Sequence, residues 1–259
     1  MKSSLSTALL MAGGRSVRMR EGGDTRHKAL RSVLGRPLIA WNIHALLAHG
    51  FSDIVVALNQ REPALAAWIE SEGALLAHAS GARCTVLLED EPLGTIGAIA
   101  RLPTAWTNLM VTNVDNLTDL HLRDLADRHL ASGAAATVAT HIQPFRIPFG
   151  RLDIEGDFVV DYHEKPTIPV AICSGTTVFA RRATAHVAQD GVTDLPTLVQ
   201  TLIHAGERVC TFPHQSRWID VNDESTLASA DVLLRDAGAS WPGNTSSAPI
   251  VSDYELGHA

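Results

Sequence analysis

The segment Ala12-Gly13-Gly14-Arg15-Ser16-Val17-Arg18 pairs two glycines with two arginines, and Lys28 follows just before the apolar Ala29-Leu30. Glycine has no side chain, so its backbone N–H can approach a phosphate oxygen closely. Successive N–H groups in a strand-to-helix loop form an anion cradle. Arg15, Arg18 and Lys28 add positive charge beside it. The spacing is neither GxxxxGK[ST] nor GxGxxG, which argues against a P-loop and against a dinucleotide-binding dehydrogenase. Taken alone, the loop could equally be a glycine turn with surface arginines. Two acids invite a second question, Asp115 in Asn113-Val114-Asp115 and Asp220 in Trp218-Ile219-Asp220-Val221. An Asp after a strand either caps a helix or holds a ligand at the carboxyl edge of an α/β sheet. Asp220 and Asp223 also compete to cap the helix beginning near Glu224.

The elements that must carry these residues alternate. Thr7–Met11 reads as a buried strand running into the glycine loop. Pro37–Gly50 has helical apolar spacing, with Gly50 as a stop. Strands follow at 53–58, 84–88, 108–112 and 135–141, with helices at 63–72, 94–102 and 120–131 between them. Strand, loop and helix repeated in this way predict a parallel sheet with helices on both faces. Gly150–Ile154 and Phe158–His163 flank Glu155-Gly156-Asp157, a turn signal, and predict a hairpin. A strand at 171–179, a helix at 194–205, a strand at 208–212 and a helix at 224–235 complete the pattern. Residues 237–259, rich in Gly, Ser, Pro and Asn, read as a mobile tail or packing arm after a domain spanning 1–236.

The motifs together resemble the sugar-1-phosphate nucleotidyltransferases, or NDP-sugar pyrophosphorylases. Residues 12–19 and His27-Lys28-Ala29-Leu30 are similar to that family's A-G-G-x-G-T-R-[LM] and P-K-[AP]-[LM]. Ser16-Val17 stands for Gly-Thr, and His27 for Pro. Glu91-Pro92-Leu93-Gly94-Thr95-Ile96-Gly97-Ala98 resembles E-P-L-G-T-A-G-A, Asn113-Val114-Asp115 resembles N-G-D, and Trp218–Val221 resembles W-x-D-[IV]. Asn222-Asp223 replaces the usual Gly-Thr after that last motif. The resemblance runs to about Leu234. It implies a Rossmann-like three-layer α/β sandwich with a mixed, mostly parallel sheet and a small β-rich sugar-binding part. It implies Met11, Ala12, Gly13, Gly14, Arg15, Glu91, Gly94 and Thr95 at the nucleotide, and Arg18, Lys28 and Lys165 as the catalytic cations. Asn113, Gly150, Glu164, Ser174 and Gly175 would meet the sugar, and Asp115 and Asp220 would hold Mg²⁺. Cys173 falls where many relatives have Asn. The implied reaction joins a nucleoside triphosphate to a phosphorylated sugar and releases pyrophosphate. A non-sugar acceptor (polyol, cyclitol or phosphonate), a non-catalytic sugar-nucleotide binder and a plain interaction domain are the alternatives.

Composition bounds these expectations. The 259 residues are 46% hydrophobic and 19% charged, enough for one large core. A formal charge of −7 argues against nucleic acid or an anionic membrane as the main partner. Cys84, Cys173 and Cys210 lie far apart without CxxC spacing, which fits reduced thiols in a cytoplasm. The 12 histidines lack zinc-ligand spacing, and His44, His49, His121 and His129 read as solvated or capping positions on helices. No secretory signal or membrane-length apolar run is visible. The oligomeric state stays open, with a homo-oligomer among the options.

Overall fold

The computed structural model describes residues 5–14, 26–102, 106–188 and 192–243. Arg15 and Arg18 therefore lie outside the described residues, as does the segment from 244 onward. Thirteen strands are described: β1 Thr7–Met11, β2 Ser32–Val33, β3 Arg36–Pro37, β4 Asp53–Asn59, β5 Arg83–Glu89, β6 Asn108–Asn113, β7 Asn116–Thr118, β8 Ala136–Arg146, β9 Arg151–Glu155, β10 Phe158–His163, β11 Thr167–Ala180, β12 Val209–His214 and β13 Trp218–Asp220. The α-helices are α1 Leu38–Ala48, α2 Pro63–Trp68, α3 Ala74–Ala79, α4 Leu122–Ser132, α5 Leu195–His204 and α6 Glu224–Ala237.

Seven strands form the central sheet in the order β12-β8-β11-β6-β1-β4-β5. β1 pairs in parallel with β4 and β6, β4 with β5, and β8 with β12. β11 runs antiparallel to both of its neighbours, β6 and β8. All five residues of β1 are buried, as expected of a strand covered on both faces. Its alternate residues serve opposite layers. Ala8 and Leu10 pack with Ile39, Ile43 and Leu46 of α1 and Leu125 of α4. Leu9 and Met11 pack on the other side with Ile99, Phe179 and Leu198. This is the mixed, mostly parallel three-layer sandwich that the sequence implies. A smaller cluster seats α6 on Val33, Leu38 and Trp41, and Trp241 joins it at 2% exposure.

Several elements depart from the sequence reading for physical reasons. The expected helix at 94–102 is only a 3-10 turn, Gly97–Arg101. The backbone N–H groups of Thr95 and Ile96 donate to Asp194 Oδ1 (2.9 Å) and the Thr193 carbonyl (3.1 Å), so they are spent on another segment. The helix at 63–72 continues through a π turn at Ile69–Gly73 into α3. β8 and β11 run several residues further than their apolar runs, because Pro144 and Pro169 face each other in register and the ladder continues past both. His49 and His121 stand at helix caps as read. His129 does not: it is 1% exposed, between Thr137 (2.9 Å) and Asn108 (3.1 Å). Its two ring nitrogens are satisfied inside the core, which the polar residue type did not suggest.

Candidate active site

The ends of β1, β5 and β6 and the loops after them enclose an open cleft. Met11, Gly13, Gly14, Lys28, Glu89, Pro92, Gly94, Thr95, Asn113 and Asp115 line it, around about 810 Å³ of empty volume. It opens at the carboxyl edge of the parallel strands, where the orphaned strand-end groups and loops of such sheets receive ligands. Ala12 sits behind it, buried, its N–H donating to the Ala57 carbonyl (2.8 Å).

His27 fixes the two ends of the glycine loop to each other. Its Nδ1 accepts from the Ala29 N–H (3.1 Å), so the ring proton belongs on Nε2, which donates to the Gly14 carbonyl (3.1 Å). The 3-10 turn Lys28–Leu30 then aims Lys28 into the cleft. Lys28 Nζ is paired with the Asp115 carboxylate and reaches Asn222 Oδ1 at 3.3 Å. Asn222 Nδ2 in turn donates to Asp220 Oδ2 (2.6 Å). The backbone makes the same junction, since the Val221 N–H donates to the Asp115 carbonyl (2.9 Å) and Asp220 pairs with Asn116 in the β13–β7 ribbon. Lys28 and Asn222 thus link the Asp115 carboxylate to that of Asp220. Asp223, the rival for the cap of α6, is that cap: its side chain accepts from the Thr226 N–H (2.8 Å) in a capping box. Two carboxylates supply hard oxygen ligands of the kind a divalent ion takes.

Gly94 has a structural reason to be glycine. Its φ is +81°, and a Cβ there would stand 2.6 Å from the Thr193 carbonyl oxygen. Thr95 completes the stitch, its Oγ1 accepting from the Leu195 N–H (2.8 Å). Glu91 is exposed and is not among the cleft-lining residues. Glu89, at the end of β5, is the acid that lines it.

Gly150, Glu164 and Lys165 gather separately, on the β9–β10 hairpin and the turn after it. A Cβ at Gly150 would fall 2.2 Å from the Tyr162 hydroxyl, which donates to Glu164 Oε2 (3.0 Å). Lys165 sits 3.7 Å from Glu164 Oε1, with its backbone in the left-handed region at φ +45°. Ser174 is buried, donating to the Ala139 carbonyl (3.2 Å) and meeting His214 Nε2 (2.8 Å), so its hydroxyl is engaged inside the protein. Gly175, at φ +78° on the β11 bulge, lies against Asn116.

Residues 7–236 match the family model described as nucleotidyl transferase. The chain belongs to the nucleotidyl transferase family. Among relatives of this transferase, a mannose-1-phosphate guanyltransferase of Debaryomyces hansenii is 29% identical over 244 residues, covering 88% of this chain and 64% of the relative. One from Candida albicans is 28% identical over 240 residues, covering 87% and 63%. The chain therefore spans just under two thirds of the length of these relatives. HddC from Yersinia pseudotuberculosis, solved in complex with GMP-PN, superposes with a TM-score of 0.64 at 18% identity, covering 89% of this chain and 100% of that one. A candidate glucose-1-phosphate thymidylyltransferase of Bacillus anthracis gives a TM-score of 0.70 at 16% identity, covering 89% and 95%. No helix among the described residues is long and apolar enough to cross a membrane.

The sequence motifs do not point to Glu89, which lines this transferase's cleft, and they mark Asn222 only as a departure from the family pattern, without its contacts to Lys28 and Asp220. Glu89 is 2% exposed, and its Oε1 has no hydrogen-bond partner among the described residues. Burial pushes its carboxyl pKa up, while the Leu93 N–H and, more weakly, Arg101 pull it back. An acid closing an otherwise apolar strand is the signal that could have found it. For Asn222 the signal was its departure from the Gly-Thr of relatives.

Proposed function

We propose that this chain joins GTP to a sugar 1-phosphate, forming a GDP-sugar and releasing pyrophosphate. The observation that carries the reading is the run of contacts from Asp115 through Lys28 and Asn222 to Asp220, beside the glycine loop. A phosphate oxygen of the sugar phosphate attacks the α-phosphorus in line, and the bond from that phosphorus to the bridging oxygen breaks. No protein nucleophile is needed, because the attacking oxygen is already ionised. Catalysis then consists of positioning and charge stabilisation. Gly13 and Gly14 offer backbone to the triphosphate, Lys28 neutralises it, and Lys165 with Glu164 serves the incoming sugar phosphate. Arg18, from the same motif, is assigned to the departing pyrophosphate. Mg²⁺, held by Asp115 and Asp220, would act as a Lewis acid on phosphate oxygens.

Glu89 supports guanine as the base. A buried carboxylate oxygen lacking a donor is costly. Guanine offers two adjacent donors, N1–H and the 2-amino group, to a single carboxylate, whereas uracil and thymine offer one imide N–H flanked by acceptors. The mannose-1-phosphate guanyltransferase relatives agree with that choice.

Two measurements test the proposal. Pyrophosphate release should require both GTP and a hexose 1-phosphate. Release from no triphosphate with any of a panel of sugar 1-phosphates would overturn the reading. In thermal-shift titrations, GTP should raise the melting temperature most, by mass action. Glu89→Gln, which replaces an acceptor oxygen with a donor, should reduce GTP affinity by ~10-fold or more, the scale of one charged hydrogen bond. An unchanged preference for GTP would remove Glu89 from base recognition.

A further inference from the structure

Asn222 touches both halves of the charged cluster by opposite ends of one group. Its Oδ1 accepts from Lys28 Nζ (3.3 Å), and its Nδ2 donates to Asp220 Oδ2 (2.6 Å). Its own backbone is pinned, because its N–H donates to Thr226 Oγ1 (3.0 Å) and the adjacent Asp223 closes the capping box of α6. The amide therefore projects from a turn that the helix terminus holds still.

We propose that Asn222 is a positioning residue that orients Asp220 for a divalent ion and Lys28 for phosphate. This rests on reading Asp115 and Asp220 as the ion's ligands. A neutral amide suits the place because it carries one acceptor and one donor. A carboxylate there would repel Asp220, and a glycine would touch neither partner. Engaging Oδ2 of Asp220 restrains rotation of the carboxylate. The second contact gives the ammonium of Lys28 an acceptor that remains when Asp115 turns to the ion. Outer partners of this kind typically shift metal affinity by 10–100-fold without supplying a ligand atom.

The test is a Mn²⁺ titration of the full chain without nucleotide, followed by electron paramagnetic resonance of the free ion. Wild type, Asn222→Gly, the isosteric Asn222→Asp and Asp220→Asn are compared, with a melting curve for each. Asn222→Gly should bind Mn²⁺ ~10-fold more weakly while melting as a folded protein. In steady-state assays the Mg²⁺ concentration for half-saturation should rise. Asn222→Asp keeps the volume and an acceptor for Lys28 but loses the donor to Asp220, so it isolates that one contact, whereas Asn222→Gly loses both and should also raise KM for the nucleotide. Wild-type binding matched by both Asn222 variants would overturn the inference alone. No Mn²⁺ binding by the wild type up to millimolar ion would overturn the ion-site reading, and the inference with it.

Discussion

Lys28 pairs with Asp115 while also reaching Asn222, so its ammonium is held before any phosphate arrives. A preorganised cation costs no rearrangement when charge develops. Lys28→Ala should lower turnover by ~10²-fold or more, the scale of losing one such contact, and leave the melting temperature near wild type. Pyrophosphate release at saturating substrates measures this, and a near-normal rate would remove Lys28 from the chemistry. At this scale the sequence was legible where a motif is local. Gly13, Gly14, Lys28 and Asp115 can be read off strand ends and loops, and the structure gathers them around one cleft. Glu89 and Asn222 were not legible, because what singles each out is juxtaposition. Glu89 matters through an oxygen left without a donor, and Asn222 through joining Asp220 to Lys28, 194 positions away.

The segment around Gly94 illustrates how an element holds a site. Thr95 and Ile96 give their N–H groups to residues 193–194, and Thr193 returns a bond from its N–H to the Leu93 carbonyl (2.9 Å). The exchange shortens the expected helix and ties one rim of the cleft to the start of α5. Gly94→Ala puts a methyl group against the Thr193 backbone at a positive φ. It should cost roughly 1–3 kcal/mol of stability and weaken nucleotide binding as well. Urea unfolding together with a nucleotide titration would detect both, and unchanged values would mean the rim yields without strain. Asp223→Ala makes the contrasting case. It removes the capping box of α6, so the melting temperature should fall, and Mn²⁺ affinity should fall only as far as Asn222 loosens. The hairpin of β9 and β10 and the order of strands and helices were readable from turn residues and periodicity. The continuation of β8 and β11 past facing prolines was not, because proline argues against a strand until its opposite partner is known.

Across the whole molecule, one buried titratable group links stability to pH. Burial, with the charge of Arg182 second, holds the His129 pKa down to about 4. In the unfolded chain a histidine takes up its proton near pH ~6.5. The unfolded state therefore binds the proton first as the pH falls, and the contribution of neutral His129, complete above that value, is lost progressively towards pH ~4. Unfolding free energies at pH 7 and pH 5 should show this loss. His129→Gln, which cannot titrate, should flatten the difference, and an equal slope in the variant would place the acid sensitivity elsewhere. The three-layer architecture was evident from alternation, but the reversal of β11 within the sheet was not, since direction is set by pairing and leaves no mark in periodicity. That reversal has a consequence for synthesis. The strand that covers the outer side of β6 is β11, and both partners of β8 also come later in the chain. A ribosome that has released only the first 166 residues has made a four-stranded half-sheet whose apolar flank at Asn108–Asn113 lacks its neighbour. Bare flanks of this sort recruit other chains. A polypeptide halted there should cling to chaperones or precipitate, and lengthening it past Ala180 should relieve the first of its two debts.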